Sequence, residues 1–283
     1  MIVFLNGQFI PAAAAMVSIF DRGFLYGDGL FETMRVCGGR PFRWEQHAER
    51  LRLGAEFLQL PLPHPVAELR RFISALIERN AQPDAVLRLT LTRGAGTRGY
   101  SIQGAPTPTL SMTLHPAPNF PAEVPPPARL IIASLRLPAE DALATFKSCN
   151  KLPQILARTE AEARGADEAL LLNTRNEVAE AAAGNVFWLT GTTVHTPPLI
   201  AGVLAGVTRA VVRELCPALG LSLRETTLPA TELPRSAGVF LTNSAVGITE
   251  VVALDGHPLP RAPQVRELQS AYERLLRRET LGE

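Results

Sequence analysis

The spacing of apolar and polar positions along the chain predicts most of its elements. Two short apolar runs, residues 2–4 and 8–10, flank Asn6-Gly7, a dipeptide that suits the positive φ angles of a hairpin turn. Residues 20–35 (FDRGFLYGDGLFETMR) are punctuated by glycines and then turn strand-like. Over residues 43–60 apolar side chains recur at helical spacing, with His47 and Arg50 on neighbouring turns of one face, and residues 64–79 predict a second helix. Residues 86–92 (VLRLTLT) alternate as a strand does, residues 93–100 (RGAGTRGY) read as a loop, and residues 109–114 as another strand.

Residues 116–127, PAPNFPAEVPPP, break this pattern. Prolines cannot donate sheet hydrogen bonds and keep the chain extended, so residues 117–127 read as an interdomain linker. The expected division is a small N-terminal α/β domain at 1–116 and a larger domain at 128–283. Beyond the linker, strands are expected at 130–134, 168–172, 185–190, 221–227 and 239–243. Helices are expected at 153–164, 203–219 and 264–278, with a short one near 231–233. The fold class is therefore α/β, two domains built on mixed or antiparallel sheets. No G-x-G-x-x-G follows a strand to open a helix, which argues against a doubly wound dinucleotide fold.

Composition narrows the function. The 283 residues are 46% hydrophobic, enough for a sizeable core, and the net charge of +1 favours neither nucleic acid nor a membrane surface. Cys37, Cys149 and Cys216 are odd in number and far apart, which suits reduced thiols in the cytoplasm. The N-terminus has no basic start and no long apolar run, so neither a signal peptide nor a transmembrane helix is expected. No histidine or cysteine cluster suggests a metal.

The densest chemistry lies between Phe146 and Trp188. Lys147 sits among small and apolar residues, a setting that disfavours its charged form and suits an amine nucleophile forming a Schiff base with an aldehyde. Glu180 is followed by Ala181, Ala182, Ala183 and Gly184, which leave space beside the backbone for a flat ligand. On residue type alone, a solvated lysine and a loop carboxylate fit equally well.

The order of motifs goes further. K-x-x-N at Lys147 and Asn150, G-A-D-E-A at 165–169, E-x-x-x-x-N-x-F at Glu180, Asn185 and Phe187, and G-V-T-R at 206–209 together resemble the class IV, fold type IV, pyridoxal-phosphate enzymes. That family includes D-amino-acid and branched-chain aminotransferases and 4-amino-4-deoxychorismate lyases. The resemblance runs over about residues 2–256. It implies a D-amino-acid-aminotransferase-like fold with pyridoxal 5′-phosphate between the domains. It makes Lys147 the catalytic Schiff-base residue and sets Glu180 against the ring nitrogen. It assigns the phosphate to Arg50, Val207, Thr208 and Ser244. It leaves Leu204 as either a residue packed on the ring or an ordinary core leucine. Lys151 stands where some relatives carry tyrosine, and the spacing to Glu180 favours Lys147 over it.

The substrate side is implied less sharply. Arg98-Gly99-Tyr100 resembles a lyase loop, as do residues 26–35 and 242–248, while Lys151-Leu152-Pro153 departs from the lyase pattern. Phe31, Arg35, Arg98 and Tyr100 are the expected substrate residues, with Arg98 gripping a carboxylate. The reaction is either release of pyruvate and 4-aminobenzoate from aminodeoxychorismate or transfer of an amino group to a 2-keto acid. The resemblance also implies a homodimer, with residues 26–31 as the contact.

Overall fold

The computed structural model describes residues 1–117 and 124–283, so residues 118–123 of the expected linker lie outside the described residues. The chain divides into two compact units, Met1–Pro118 with Phe146–Asn150 and Leu276–Glu283, and Asn119–Thr145 with Lys151–Leu275. The first unit thus takes in two segments that are remote in sequence.

Its elements are β1 (Ile2–Leu5), β2 (Gln8–Pro11), α1 (Arg22–Tyr26), β3 (Gly29–Cys37), β4 (Arg40–Pro41), α2 (Trp44–Phe57), α3 (Val66–Asn80), β5 (Ala85–Thr92) and β6 (Thr109–Pro116). The strands form an antiparallel sheet of six in the order β2-β1-β6-β5-β3-β4. Alternation sorts its two faces. Leu30, Met34, Val36, Leu87, Leu89, Leu91, Leu110 and Met112 join the core with Leu51, Leu69, Ile73 and Leu76 of α2 and α3. The intervening positions carry Phe31, Thr33, Arg35, Arg88, Thr90, Ser111 and Thr113. Helix α2 begins at Trp44, one residue later than expected, because Arg43 takes a left-handed φ of 57° at its N-cap.

The second unit contains β7 (Ala128–Leu137), α4 (Leu152–Ala163), β8 (Glu168–Asn173), β9 (Val178–Ala181), β10 (Gly184–Thr190), β11 (Thr193–Thr196), α5 (Val207–Ala218), β12 (Ser222–Glu225), β13 (Gly238–Asn243), β14 (Gly247–Leu254), β15 (His257–Pro258) and α6 (Pro263–Thr280), whose last turn belongs to the first unit. The pairing order β10-β13-β14-β7-β8-β9 closes on itself because β9 also pairs β10, giving a ring of six strands. Strand β8 is buried along its whole length: Leu170 and Leu172 belong to one core cluster, Ala169 and Leu171 to another with Ala157 and Ala161 of α4. Helix α5 starts at Val207 rather than at 203, because Gly206 is extended, at φ −67° and ψ 137°. Among the described residues no helix is long and apolar enough to cross a membrane.

Candidate active site

Phe146–Asn150 behaves as a short additional edge of the six-stranded sheet. Leu30 and Ser148 form an antiparallel bridge, the Phe31 N–H donates to the Lys147 carbonyl at 2.9 Å, and the Cys149 N–H donates to the Gly29 carbonyl at 2.9 Å. The ladder fixes the backbone of Lys147, and its half-buried side chain places Nζ 4.7 Å from the centre of the Phe31 ring. The Arg88 guanidinium carbon lies 3.9 Å from the same ring centre. Phe31 therefore brings Lys147 close to Arg88, a cation that the sequence reading passes over. Strand alternation in β5 could have flagged Arg88, since it stands between leucines that face the core. Arg35 lies two residues along the Phe31 face and is buried.

On the helix-facing side of β3 one position breaks the apolar series: Glu32, between Leu30 and Met34. It is 2% exposed. Its carboxylate accepts from Arg50 through a fork, Nε to Oε1 at 2.8 Å and Nη2 to Oε2 at 2.6 Å, while His47 Nδ1 lies 2.6 Å from Oε2. Burial alone would raise the Glu32 carboxyl, but the Arg50 guanidinium and the His47 hydrogen bond overcome it and hold the group down at about 2. Burial pushes His47 below its usual value, beyond what Glu32 restores, so the ring is neutral at pH 7 and Nδ1 is its donor. Arg50 is thus held from β3 by a residue absent from the expected site.

Arg98 and Tyr100 lie on the loop after β5, and both are exposed in the single chain, Tyr100 at 89%.

In the second unit, three strands place polar groups in one row of the ring: Glu180 on β9 pairs with Asn185 on β10, which pairs with Thr242 on β13. Glu180 Oε2 accepts the Leu204 N–H at 2.9 Å, the Leu204 carbonyl accepts from Asn185 Nδ2 at 2.8 Å, and Gln154 Nε2 reaches Glu180 Oε1 at 3.5 Å. Glu180 and Leu204 are brought together by their polar atoms. The small residues after Glu180 lead through the β9–β10 turn, and a Cβ on Gly184 would lie 2.6 Å from the Thr242 carbonyl, so at that position the sheet itself requires a glycine.

The first turn of α5 holds Val207 and Thr208, and no side chain caps it. Thr208 Oγ1 and Ser244 Oγ lie 3.4 Å apart. Asn243 Oδ1 accepts the N–H groups of Ala245 and Val246 and so shapes the turn that carries Ser244. Gly206 leaves no room for a side chain, since a Cβ would meet Asn185 Oδ1 at 2.0 Å. Uncapped helix N–H groups beside two hydroxyls suit a phosphate group. A fixed, buried carboxylate suits a protonated ring nitrogen. Within the second unit these groups suit the phosphate and ring of pyridoxal 5′-phosphate, and in the first unit Lys147 carries an amine of the kind its aldehyde takes. Lys151, the other lysine of the motif, precedes α4 at its N-cap.

A family model for class IV amino-transferases matches residues 29–254. A protein of Methanocaldococcus jannaschii named as a branched-chain-amino-acid aminotransferase is 34% identical over 257 residues, 90% of this chain and 88% of that one. The crystal structure of 4-amino-4-deoxychorismate lyase from Pseudomonas aeruginosa is 35% identical, covers 99% of this chain and 100% of its own, and superposes with a TM-score of 0.85. A hypothetical aminotransferase from Mycobacterium tuberculosis, solved in a PLP-bound form, is 26% identical, with 98% of this chain and 99% of its own covered and a TM-score of 0.85.

Proposed function

Since the chain belongs to the class IV aminotransferases, a family of pyridoxal-phosphate enzymes, we propose that it acts as a 4-amino-4-deoxychorismate lyase, releasing pyruvate and 4-aminobenzoate. The observation that carries this reading is Arg98-Gly99-Tyr100 on an exposed loop, in a chain alike over its full length to the Pseudomonas aeruginosa lyase. When bound, pyridoxal 5′-phosphate supplies an aldehyde that condenses with amines and a ring that takes up the electron pair left at the substrate carbon. Lys147 Nζ would hold the cofactor, and its amine would take the proton from the carbon beside the substrate amine. Glu180 keeps the proton on the ring nitrogen. Val207, Thr208, Ser244 and Arg50 hold the phosphate, and Phe31, Arg35, Arg98 and Tyr100 orient the substrate. The M. jannaschii relative and a Bacillus licheniformis protein named as a D-alanine aminotransferase support a second reading, an aminotransferase acting on a branched-chain or D-amino acid. We take residues 1–116 and 128–283 as the two domains, with Phe146–Asn150 and Leu276–Glu283 grouped with the first.

The test is purified holoenzyme with aminodeoxychorismate and no keto acid. The expected products are 4-aminobenzoate and pyruvate. If instead D-alanine or L-leucine alone converts the cofactor completely to its pyridoxamine form and aminodeoxychorismate yields no 4-aminobenzoate, the second reading replaces the first. In either reaction Arg98→Ala is expected to lower kcat/KM for carboxylate substrates by about thirtyfold or more, as a charge-assisted contact is lost. The cofactor absorbance should stay unchanged.

We also propose a homodimer. Of the expected contact, Gly29, Leu30 and Phe31 are buried within the chain in β3, whereas Met16, Val17, Ile19, Phe20, Phe24 and Leu25 just before it are exposed. A second copy covering these side chains removes an apolar patch unusual for a monomer. Light scattering should give twice the chain mass, and Phe20→Glu with Phe24→Glu should return it to one. A wild-type monomer with full activity at nanomolar concentration would count against the dimer.

A further inference from the structure

Arg22 is a buried arginine, 3% exposed, in the five-residue helix α1. Each of its three nitrogens has a partner. Nε donates to Asp28 Oδ2 at 2.9 Å, Nη1 to the Gly99 carbonyl at 2.8 Å, and Nη2 reaches the Tyr100 carbonyl at 3.5 Å. The guanidinium also lies over the Tyr26 ring, 5.0 Å from its centre. Tyr26 completes the grip: its hydroxyl accepts the Gly99 N–H at 3.1 Å, and its ring meets Tyr100 edge-on at 5.7 Å.

The near end of the loop is tied to the same place. The Arg22 N–H donates to the Gly94 carbonyl at 2.9 Å, and the Gly96 N–H to the Phe20 carbonyl at 3.3 Å. A Cβ on Gly96 would stand 3.1 Å from Arg22 Cδ. Asp28 is itself fixed by Arg93, which spans to the carbonyls of Leu58 and Gln59 at 2.8 and 2.9 Å. Residues 93–100 are thus wrapped around one side chain. Gly99 has a φ of +108°, a conformation with little restraint of its own.

We propose that Arg22 is a positioning residue for the substrate. By holding the Gly99 and Tyr100 carbonyls, with Tyr26 holding the Gly99 N–H, it sets the direction in which Arg98 and Tyr100 are presented. The inference rests on the reading that Arg98 binds a substrate carboxylate. Without the clamp, the loop around Gly99 must be ordered at each binding event, and that entropy falls on substrate affinity rather than on the chemical step.

The test uses holoenzyme with aminodeoxychorismate, or with D-alanine and 2-oxoglutarate if that is the pair turned over. Arg22→Met keeps the apolar stem and removes the donors, and Tyr26→Phe removes one hydroxyl. Arg22→Met should raise KM about ten- to a hundredfold with kcat within about threefold of wild type. The cofactor absorbance should be unaltered, and tryptic cleavage after Arg98 in the folded protein should be faster. Tyr26→Phe should shift KM and cleavage in the same direction by less, and Arg22→Lys, which keeps one donor, should recover part of the loss. In the double variant with Arg98→Ala, the further rise in KM should be smaller than the rise Arg22→Met causes in wild type, because part of the Arg22 effect acts through Arg98. If Arg22→Met does not fold, Tyr26→Phe carries the test. Should both variants keep wild-type KM and cleavage while Arg98→Ala raises KM, the positioning role is wrong and the carboxylate reading stands. If Arg98→Ala itself leaves KM unchanged, the reading fails and the substrate role of Arg22 fails with it.

Discussion

Replacing Lys147 with alanine is expected to lower turnover by about 10³–10⁴-fold, since in the proposed function one amine both holds the cofactor and moves the proton. Borohydride treatment of the holoenzyme should abolish the cofactor absorbance and leave a covalent adduct on the peptide containing Lys147. The structural basis is that this lysine is set in a ladder. Its carbonyl accepts from Phe31, the next two residues, Ser148 and Cys149, are tied to Leu30 and Gly29 of β3, and its Nζ is held over an aromatic ring. Lys151 stands instead at the start of α4. Lys151→Ala should retain turnover within a few-fold. An adduct mapped to Lys151, or a Lys147→Ala protein with near wild-type turnover, would overturn the assignment.

The second large effect is expected at Glu32. Its carboxyl is held at about 2, below the ordinary 4.5, so the folded state binds the proton more weakly than the unfolded chain does. Its contribution to stability is complete above pH 4.5 and is lost as the pH falls from there toward 2, about 3 kcal/mol in all. His47 acts in the same sense higher up. Its lowered value favours the neutral ring, and that contribution fades as the pH falls below about 6.5. Glu32→Ala leaves the Arg50 charge without its buried partner and should cost about 3–5 kcal/mol at pH 7. Urea unfolding at pH 7, 5 and 3.5 measures both: wild type should weaken steeply toward pH 3.5, and the variant should start lower and fall less. Equal stability of the two proteins at pH 7, with parallel acid limbs, would remove Glu32 from this role. Glu32 fixes Arg50, so if Arg50 holds the phosphate as proposed, the variant should also retain cofactor less well.

Much of this arrangement can be read from local pattern. The helices α2 and α3, the alternating β5 and β6 and the amphipathic α6 follow from spacing alone, because each buries one face. Strands without alternation are harder. The short β9 and β11 and the eight-residue β14 give little period to read, and they exist because neighbours pair with them. Apolar spacing starts helix α5 four residues too early, because the backbone angles of Gly206 decide where it begins. The ordered motifs draw attention to Lys147, Glu180, Thr208 and Ser244, but not to what holds them. The pairing of residues 146–150 with β3 spans over a hundred residues, and no local signal announces it. Glu32 is within reach, as the one charge in the apolar series Leu30, Met34, Val36. Arg22 is not, because the loop carbonyls it holds, those of Gly99 and Tyr100, lie more than seventy residues away.

The closed ring of six strands has a consequence for how the chain can be made. β10 waits for β13 on one edge, and β7 waits for β14, so the circle stays open until residues 238–254 have been synthesised. A nascent chain ending near Glu225 presents two long apolar strands with unpaired hydrogen-bonding edges, which invite pairing with another copy. Biosynthesis that stalls before β13 should therefore yield aggregates rather than a smaller soluble fragment. Chaperone demand should concentrate in the interval between β12 and β14.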